Sequence, residues 1–202
     1  MKVAIIDSGI HPDHPHVVRV AGGIAIIADG ISDDWQDRLG HGTAVAGAIR
    51  EKAPDAELYA VKVFDRRLSA NIDVLIRALE WCTENRMDLI NLSLGTSNEA
   101  HRPRFAAILT NAPPIITAAN LLPGMLPGAI AVTPEESCPR DQYRYDGNIF
   151  IASPYPRSIP GVPVERNLHG ASFAVANLTG FAARLDSTRD LRDRLIRAAS
   201  NP

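Results

Sequence analysis

Apolar and polar positions divide the chain into short hydrophobic runs separated by amphipathic stretches. Val3–Asp7, Gly23–Ala28, Leu58–Val63, Leu89–Ser93, Pro114–Ala118, Ala129–Thr133 and Ile149–Ala152 are mostly continuous apolar runs of strand length. Such runs are expected of strands covered on both faces of a parallel sheet. In Asn71–Arg86 the spacing turns helical: Ile72, Leu75, Ile76, Leu79 and Cys82 recur every three or four residues, with Asp73, Arg77, Glu80 and Glu84 on the other face. Thr43–Lys52, Pro103–Thr110 and Ser172–Ala183 read as further helices, and Ser187 or Thr188 is expected to cap a last one reaching about Ala199. Pro134–Gly147 and the proline-rich Pro154–Pro163 read as loops. Strands alternating with helices predict an α/β fold, a doubly wound, mostly parallel sheet flanked by helices. With no repeat and no linker, the 202 residues are expected to form one domain, 1–202.

Composition narrows the classes of function. Hydrophobic residues make up 46% and charged residues 22%, the balance of a globular chain rather than a disordered one. Lys+Arg number 21 against 23 Asp+Glu, a formal net charge of -2, so electrostatics make no case for nucleic acid or an anionic membrane as partner. The apolar runs fall far short of the ~20 residues that a membrane-spanning helix needs. Met1-Lys2-Val3-Ala4 enters a strand-like run at once, without the basic region or cleavage site of a secretory signal, which argues a cytoplasmic location unless a leader has been removed. Cys82 and Cys138 form no CxxC pair, so neither a disulfide framework nor a structural zinc is implied. Cys82 lies on the apolar face of its helix; Cys138 falls in a loop, where its thiol is expected at the surface.

In an open parallel sheet, reactive groups collect beyond the carboxyl ends of the strands. Asp7 closes the run Val3-Ala4-Ile5-Ile6 there and is followed by Ser8-Gly9. His41 opens Gly40-His41-Gly42-Thr43-Ala44-Val45-Ala46-Gly47, whose small residues let a helix pack closely while the imidazole projects from its start. Ser172, in Gly170-Ala171-Ser172-Phe173-Ala174, also stands at a helix start, where unpaired N–H groups favour a developing negative charge. A carboxylate, an imidazole and a hydroxyl are the parts of nucleophilic acyl transfer. Asn120, ending Ile115-Ile116-Thr117-Ala118-Ala119-Asn120, could donate to a tetrahedral oxyanion or serve as a plain turn residue.

These motifs, together with Leu-Tyr-Ala-Val-Lys-Val beginning at residue 58, Ile-Asn-Leu-Ser-Leu-Gly at 90–95 and Gly180, resemble the subtilisin-like serine proteases, in that family's order from residue 3 to about 184. The resemblance implies that Asp7 orients the base, that His41 is the general base, that Ser172 is the nucleophile and that Asn120 is the oxyanion donor. It also implies that Ser93-Leu94-Gly95 pairs with a bound peptide as an added strand. The partner implied is a peptide or protein substrate, and no cofactor is called for. The chain departs from the usual pattern in several places. Ala44 stands where a second His is usual, Ala119 where Gly precedes the Asn, Ala171 for Thr, Phe173 for Met, and Ala176-Asn177 for Pro-His.

Segment lengths differ as well. His41 to Leu58 spans 17 positions (58 − 41), replacing a longer loop that in secreted relatives helps to bind calcium, so no metal site is expected. Asn120 to Leu126 spans 6 positions (126 − 120), where relatives carry a longer loop walling the pocket for the residue before the scissile bond. Narrow specificity, such as the processing of a leader or precursor peptide, is the expectation. A peptide ligase or macrocyclase would use the same acyl-enzyme, and an idle peptide-binding scaffold would keep the same fold. An α/β-hydrolase elbow is disfavoured, because the second Gly is missing and the order Asp, His, Ser is wrong for it. His11, His14 and His16 are separated by prolines that break regular ligand geometry, so they read as a surface loop. Asp29, Asp33, Asp34 and Asp37 read as a solvated loop, with Asp37 placed to favour a basic substrate residue.

Overall fold

The structure is a computed structural model that describes residues 1–64, 67–185 and 187–200. Among these residues the strands are β1 (Lys2–Asp7), β2 (Gly22–Ile27), β3 (Gly30–Ser32), β4 (Glu57–Lys62), β5 (Leu89–Leu92), β6 (Ile115–Ala118), β7 (Ile130–Pro134), β8 (Tyr143–Tyr145) and β9 (Phe150–Ala152). The helices are α1 (His41–Lys52), α2 (Ile72–Glu84), α3 (Arg102–Leu109), α4 (Ala171–Ala183) and α5 (Leu191–Ala198). The strands join in one sheet of order β3-β2-β4-β1-β5-β6-β7-β9-β8. Pairing is parallel except at the two edges, where β3 and β8 run antiparallel to β2 and β9. The expected α/β architecture is the one observed.

β1 explains why the sheet needs helices on both sides. Its residues alternate between faces, with Val3 and Ile5 entering a cluster with α1, α4 and α5. Ala4 and Ile6 enter a second cluster with α2 and Phe105 of α3. All four are 0% exposed, so the run carries no polar alternation to read. Each large side chain buried in this way stabilises the fold by about 1.5–3 kcal/mol. α2 is capped as its sequence suggests, the Asn71 side chain accepting from the Val74 N–H.

β1 lies between β4 and β5, pairing with both in parallel. The chain reaches β4 through α1 and later returns to the other side of β1 to form β5. This reversal leaves a crevice at the carboxyl end of β1, where Asp7 stands.

Three expectations need correction, and one strand lies where none was expected. Tyr143–Tyr145 is a strand inside the stretch read as a loop, held by Tyr143 Oη donating to the Leu195 carbonyl at 2.8 Å. Gly30–Ser32 is a further short strand that folds back on β2. α5 begins only at Leu191, because Ser187 Oγ accepts from the Arg189 N–H and closes a turn ahead of the helix. Cys138 is 2% exposed, its Sγ lying 3.8 Å from the carbonyls of Pro139, Gln142 and Ile151 inside a tight turn.

Candidate active site

The site is built from the ends of β1, β5 and β6 and the starts of α1 and α4. Asp7, at the tip of β1, is 0% exposed. Its Oδ1 lies 2.7 Å from His41 Nδ1 and also accepts from the Ser8 N–H at 2.7 Å. Its Oδ2 has no hydrogen-bond partner, so the imidazole is the main group facing the carboxylate charge. The approach depends on Gly42: a Cβ there would come within 2.2 Å of the Gly9 carbonyl oxygen and 3.2 Å of Asp7 Cβ. Any larger residue would push the first turn of α1, and His41 with it, off the end of β1.

The first turn of α1 is fastened by groups that the motif reading missed. Ser8 Oγ accepts from the Gly42 N–H at 2.9 Å, and Asp37 Oδ2 accepts from the Thr43 N–H at 2.9 Å and from Thr43 Oγ1 at 2.6 Å. Asp37 Oδ1 accepts from Ser8 Oγ, Leu39 N–H and Gly40 N–H, each at 2.9 Å. Two donors that a helix start leaves unpaired are thereby satisfied from outside the helix. Asp37 is thus a buried capping carboxylate. Its expected place in a solvated loop facing substrate is wrong, because both oxygens are spent on the backbone and hydroxyls around His41. Burial opposes its ionisation, but the hydrogen bonds from Thr43, Leu39 and Gly40 prevail and hold its carboxyl below the ordinary range.

His41 feels opposed effects as well. Burial would push the imidazole down; the hydrogen bond and charge of Asp7, with the charge of Asp37 behind it, outweigh that and raise it above the ordinary histidine value. Phe173 is buried and tilts against the ring, with centroids 5.5 Å apart, which brings the start of α4 beside His41. Gly170, at φ 143°, makes the turn into α4 in a conformation that L side chains rarely adopt. Ser172 follows in the first turn, its Oγ donating to the Ser93 carbonyl at 3.3 Å.

Ser93 therefore meets Ser172 directly. Its position is fixed through a buried chain that runs from α4 to β5: Thr179 Oγ1 donates to Asn91 Oδ1 at 3.0 Å, and Asn91 Nδ2 donates to Ser93 Oγ at 2.8 Å. Beyond Ser93, no described hydrogen bond engages the main chain of Leu94 or Gly95. Gly95 backs onto the short connection after β6, where an added Cβ would meet the Leu122 carbonyl oxygen at 2.6 Å and Leu121 Cβ at 2.8 Å. Asn120 lies two positions past the end of β6, exposed, its carboxamide in no described hydrogen bond. Asn177, in the place of the usual His, donates from Nδ2 to the carbonyls of Ser153 and Tyr155 at 2.9 Å and anchors the segment entering α4.

The residues between α1 and β4 do not suit a bound cation. Arg50, 8% exposed, donates to the carbonyls of Val17, Pro54, Ala56 and Arg19 at 3.0, 2.6, 2.7 and 2.8 Å. These four carbonyl oxygens are turned toward a guanidinium. Among the described residues no group of three His, Cys, Asp or Glu side chains is placed to hold a metal. No described helix is long and apolar enough to cross a membrane.

The structure thus joins Asp7 to His41 and sets the start of α4 beside them, while the described hydrogen bond of the Ser172 hydroxyl goes to the Ser93 carbonyl and none joins it to His41. The comparisons are specific about the scaffold. Residues 1–120 match the subtilase family. The thermostable alkaline protease of Halalkalibacterium halodurans is 32% identical over 220 residues, which cover 92% of this chain and 56% of that protein. Subtilisin E of Bacillus subtilis is 42% identical over 104 residues, 47% of this chain and 27% of the relative. The minor extracellular protease Epr of Bacillus subtilis is 38% identical over 109 residues, covering 50% of this chain and 16% of that one. A crystal structure of a cold adapted subtilisin-like serine proteinase superposes with a TM-score of 0.74 at 19% identity, over 98% of this chain and 84% of that one. The chain belongs to the subtilase family, and its matched region spans at most 56% of these curated relatives.

Proposed function

We propose that the chain is a serine endopeptidase in which Asp7, His41 and Ser172 act as one catalytic unit and Asn120 serves the oxyanion. The observation that carries this reading is the 2.7 Å contact between a fully buried Asp7 carboxylate and His41 Nδ1, beside the first turn of α4. That contact fixes the tautomer, with the proton on Nδ1, and leaves Nε2 free to accept. In this mechanism the Ser172 hydroxyl gives up the Ser93 carbonyl and turns its proton to Nε2. Oγ then attacks the scissile carbonyl carbon while His41 takes its proton. The resulting oxyanion is met by the Ser172 N–H, which has no intrahelical acceptor, and by the Asn120 carboxamide. Collapse breaks the C–N bond as His41 returns the proton to the departing amine, and water completes the cycle through the same steps.

The free main chain of Leu94 and Gly95 suits a peptide that adds itself as a strand, which would hold the scissile bond against Ser172. Close packing of Gly95 on Leu121 and Leu122 supports narrow specificity, because space behind that strand is already filled. Selective processing of a leader or precursor peptide is the role this restriction favours. Mass-spectrometric mapping of a diverse peptide library tests both parts. The expected result is a small set of cut sites made by the parent and none by Ser172→Ala. Equal cutting by the two proteins would refute the assignment of Ser172, and indiscriminate cutting by the parent would refute narrowness.

A further inference from the structure

A second concavity lies against the start of α1, and the chemistry above makes no use of it. Its volume is about 510 Å³, and its wall includes His11, His14, His16, Ala44, Arg157 and Leu168. The wall takes in Gly40, Thr43 and Ala44 at the start of α1 and Leu168, four positions before Ser172 (172 − 168), so the cavity borders the segments that carry both residues. Ser93–Gly95 reaches Ser172 from the strand end. With the acyl half of a peptide along Ser93–Gly95, as the proposed function has it, this cavity beside the first turn of α1 is the candidate place for the leaving half.

The wall carries a guanidinium with donors to spare. Arg157 makes one hydrogen bond, from Nη1 to the His16 carbonyl at 3.3 Å, which leaves other donors of its fork available. Three imidazoles add further donors, with the rings of His14 and His16 edge to face at 5.1 Å. Asp37, the carboxylate in the wall, keeps its charge, but its hydrogen bonds go to Ser8, Leu39, Gly40 and Thr43 and none of those described goes to Arg157. Arg38 is paired with Asp34 at 2.8 Å. Leu39, Ile159 and Leu168, all in the same wall, remain 38%, 44% and 49% exposed and give it apolar surface beside the guanidinium.

We propose that this cavity is a subsite for the leaving half of the substrate, selecting peptides with an acidic side chain beside an apolar one after the scissile bond. Arg157 and the imidazoles take the carboxylate, and Leu39, Ile159 and Leu168 cover its neighbour. The inference rests on the endopeptidase reading and extends it to substrate class. The test uses cut sites from the library, resynthesised as pairs with Asp-Leu or Asn-Leu after the bond, and as pairs carrying the same change before it. For the parent, kcat/KM is expected to favour Asp after the bond by about five- to tenfold, the effect of one charge-assisted contact partly open to water. Before the bond, the Asp and Asn peptides are expected to perform alike. Arg157→Gln should bring the ratio close to one and His14→Gln should reduce it; each ratio is taken within one protein, so partial loss of folded material cancels. A parent ratio near one, the same preference on both sides of the bond, or a ratio untouched by both variants would overturn the subsite while leaving the peptidase intact. No cleavage of any peptide, with no labelling of Ser172 by a fluorophosphonate, would overturn the peptidase reading and the subsite with it.

Discussion

At His41 burial and charge pull the imidazole in opposite directions, and the carboxylates win. A general base works only when neutral, so a raised imidazole loses activity at a higher pH than a free histidine would. The acid limb of kcat/KM is therefore expected above the ordinary histidine value of 6.5. In Asp7→Asn the hydrogen bond and charge that raise it are gone while burial persists. The limb should then move down as kcat falls by about 10⁴. A pH profile of parent and variant checks this, and a parent limb below the ordinary value would contradict it. Asn120→Ala should lower kcat by about 10²–10³; a change confined to KM would make Asn120 a binding residue instead. The places of Asp7, His41 and Ser172 in the fold were legible because each stands where a strand ends or a helix begins, beside small residues that mark a tight approach. Asp37 was not. It reaches forward past its own turn to cap α1, and an acid in an aperiodic stretch gives no sign of whether it faces water or a helix start.

Among the elements, the connection from α1 to β4 depends on one side chain. Arg50 gathers carbonyls from the segment after β1 and from the turn before β4. Arg50→Met leaves those buried oxygens without donors and is expected to lower stability by about 3 kcal/mol in urea unfolding. Melting of the parent should be the same in EDTA and in millimolar calcium, since the guanidinium already satisfies these oxygens; an ion bound by the folded protein would raise the transition. Unchanged stability of Arg50→Met, or a large upward shift with calcium, would show that something else holds the connection. The central strands were readable because burial on both faces leaves continuous apolar runs. β3 and β8 have three residues each, too few for a period, and β8 owes its place to Tyr143 packing on Phe150 and Phe181. The start of α5 was misread because a serine followed by a helical pattern closes a turn as readily as it caps a helix.

For the whole molecule, the order of strands around β1 brings together residues 165 positions apart (172 − 7). No single segment contains the proposed site: the carboxylate comes from β1, the imidazole from α1, the hydroxyl from α4 and the segment proposed to pair with a peptide follows β5. The central claim is that this assembly turns an ordinary serine hydroxyl into a nucleophile. A fluorophosphonate reports that property directly, because it reacts with an activated serine hydroxyl whatever the natural substrate. Peptide mapping after labelling of the folded parent is expected to find the adduct on Ser172, with labelling lost in His41→Ala although that variant keeps the parent's circular dichroism. Absence of labelling in the folded parent, or equal labelling of His41→Ala, would contradict it.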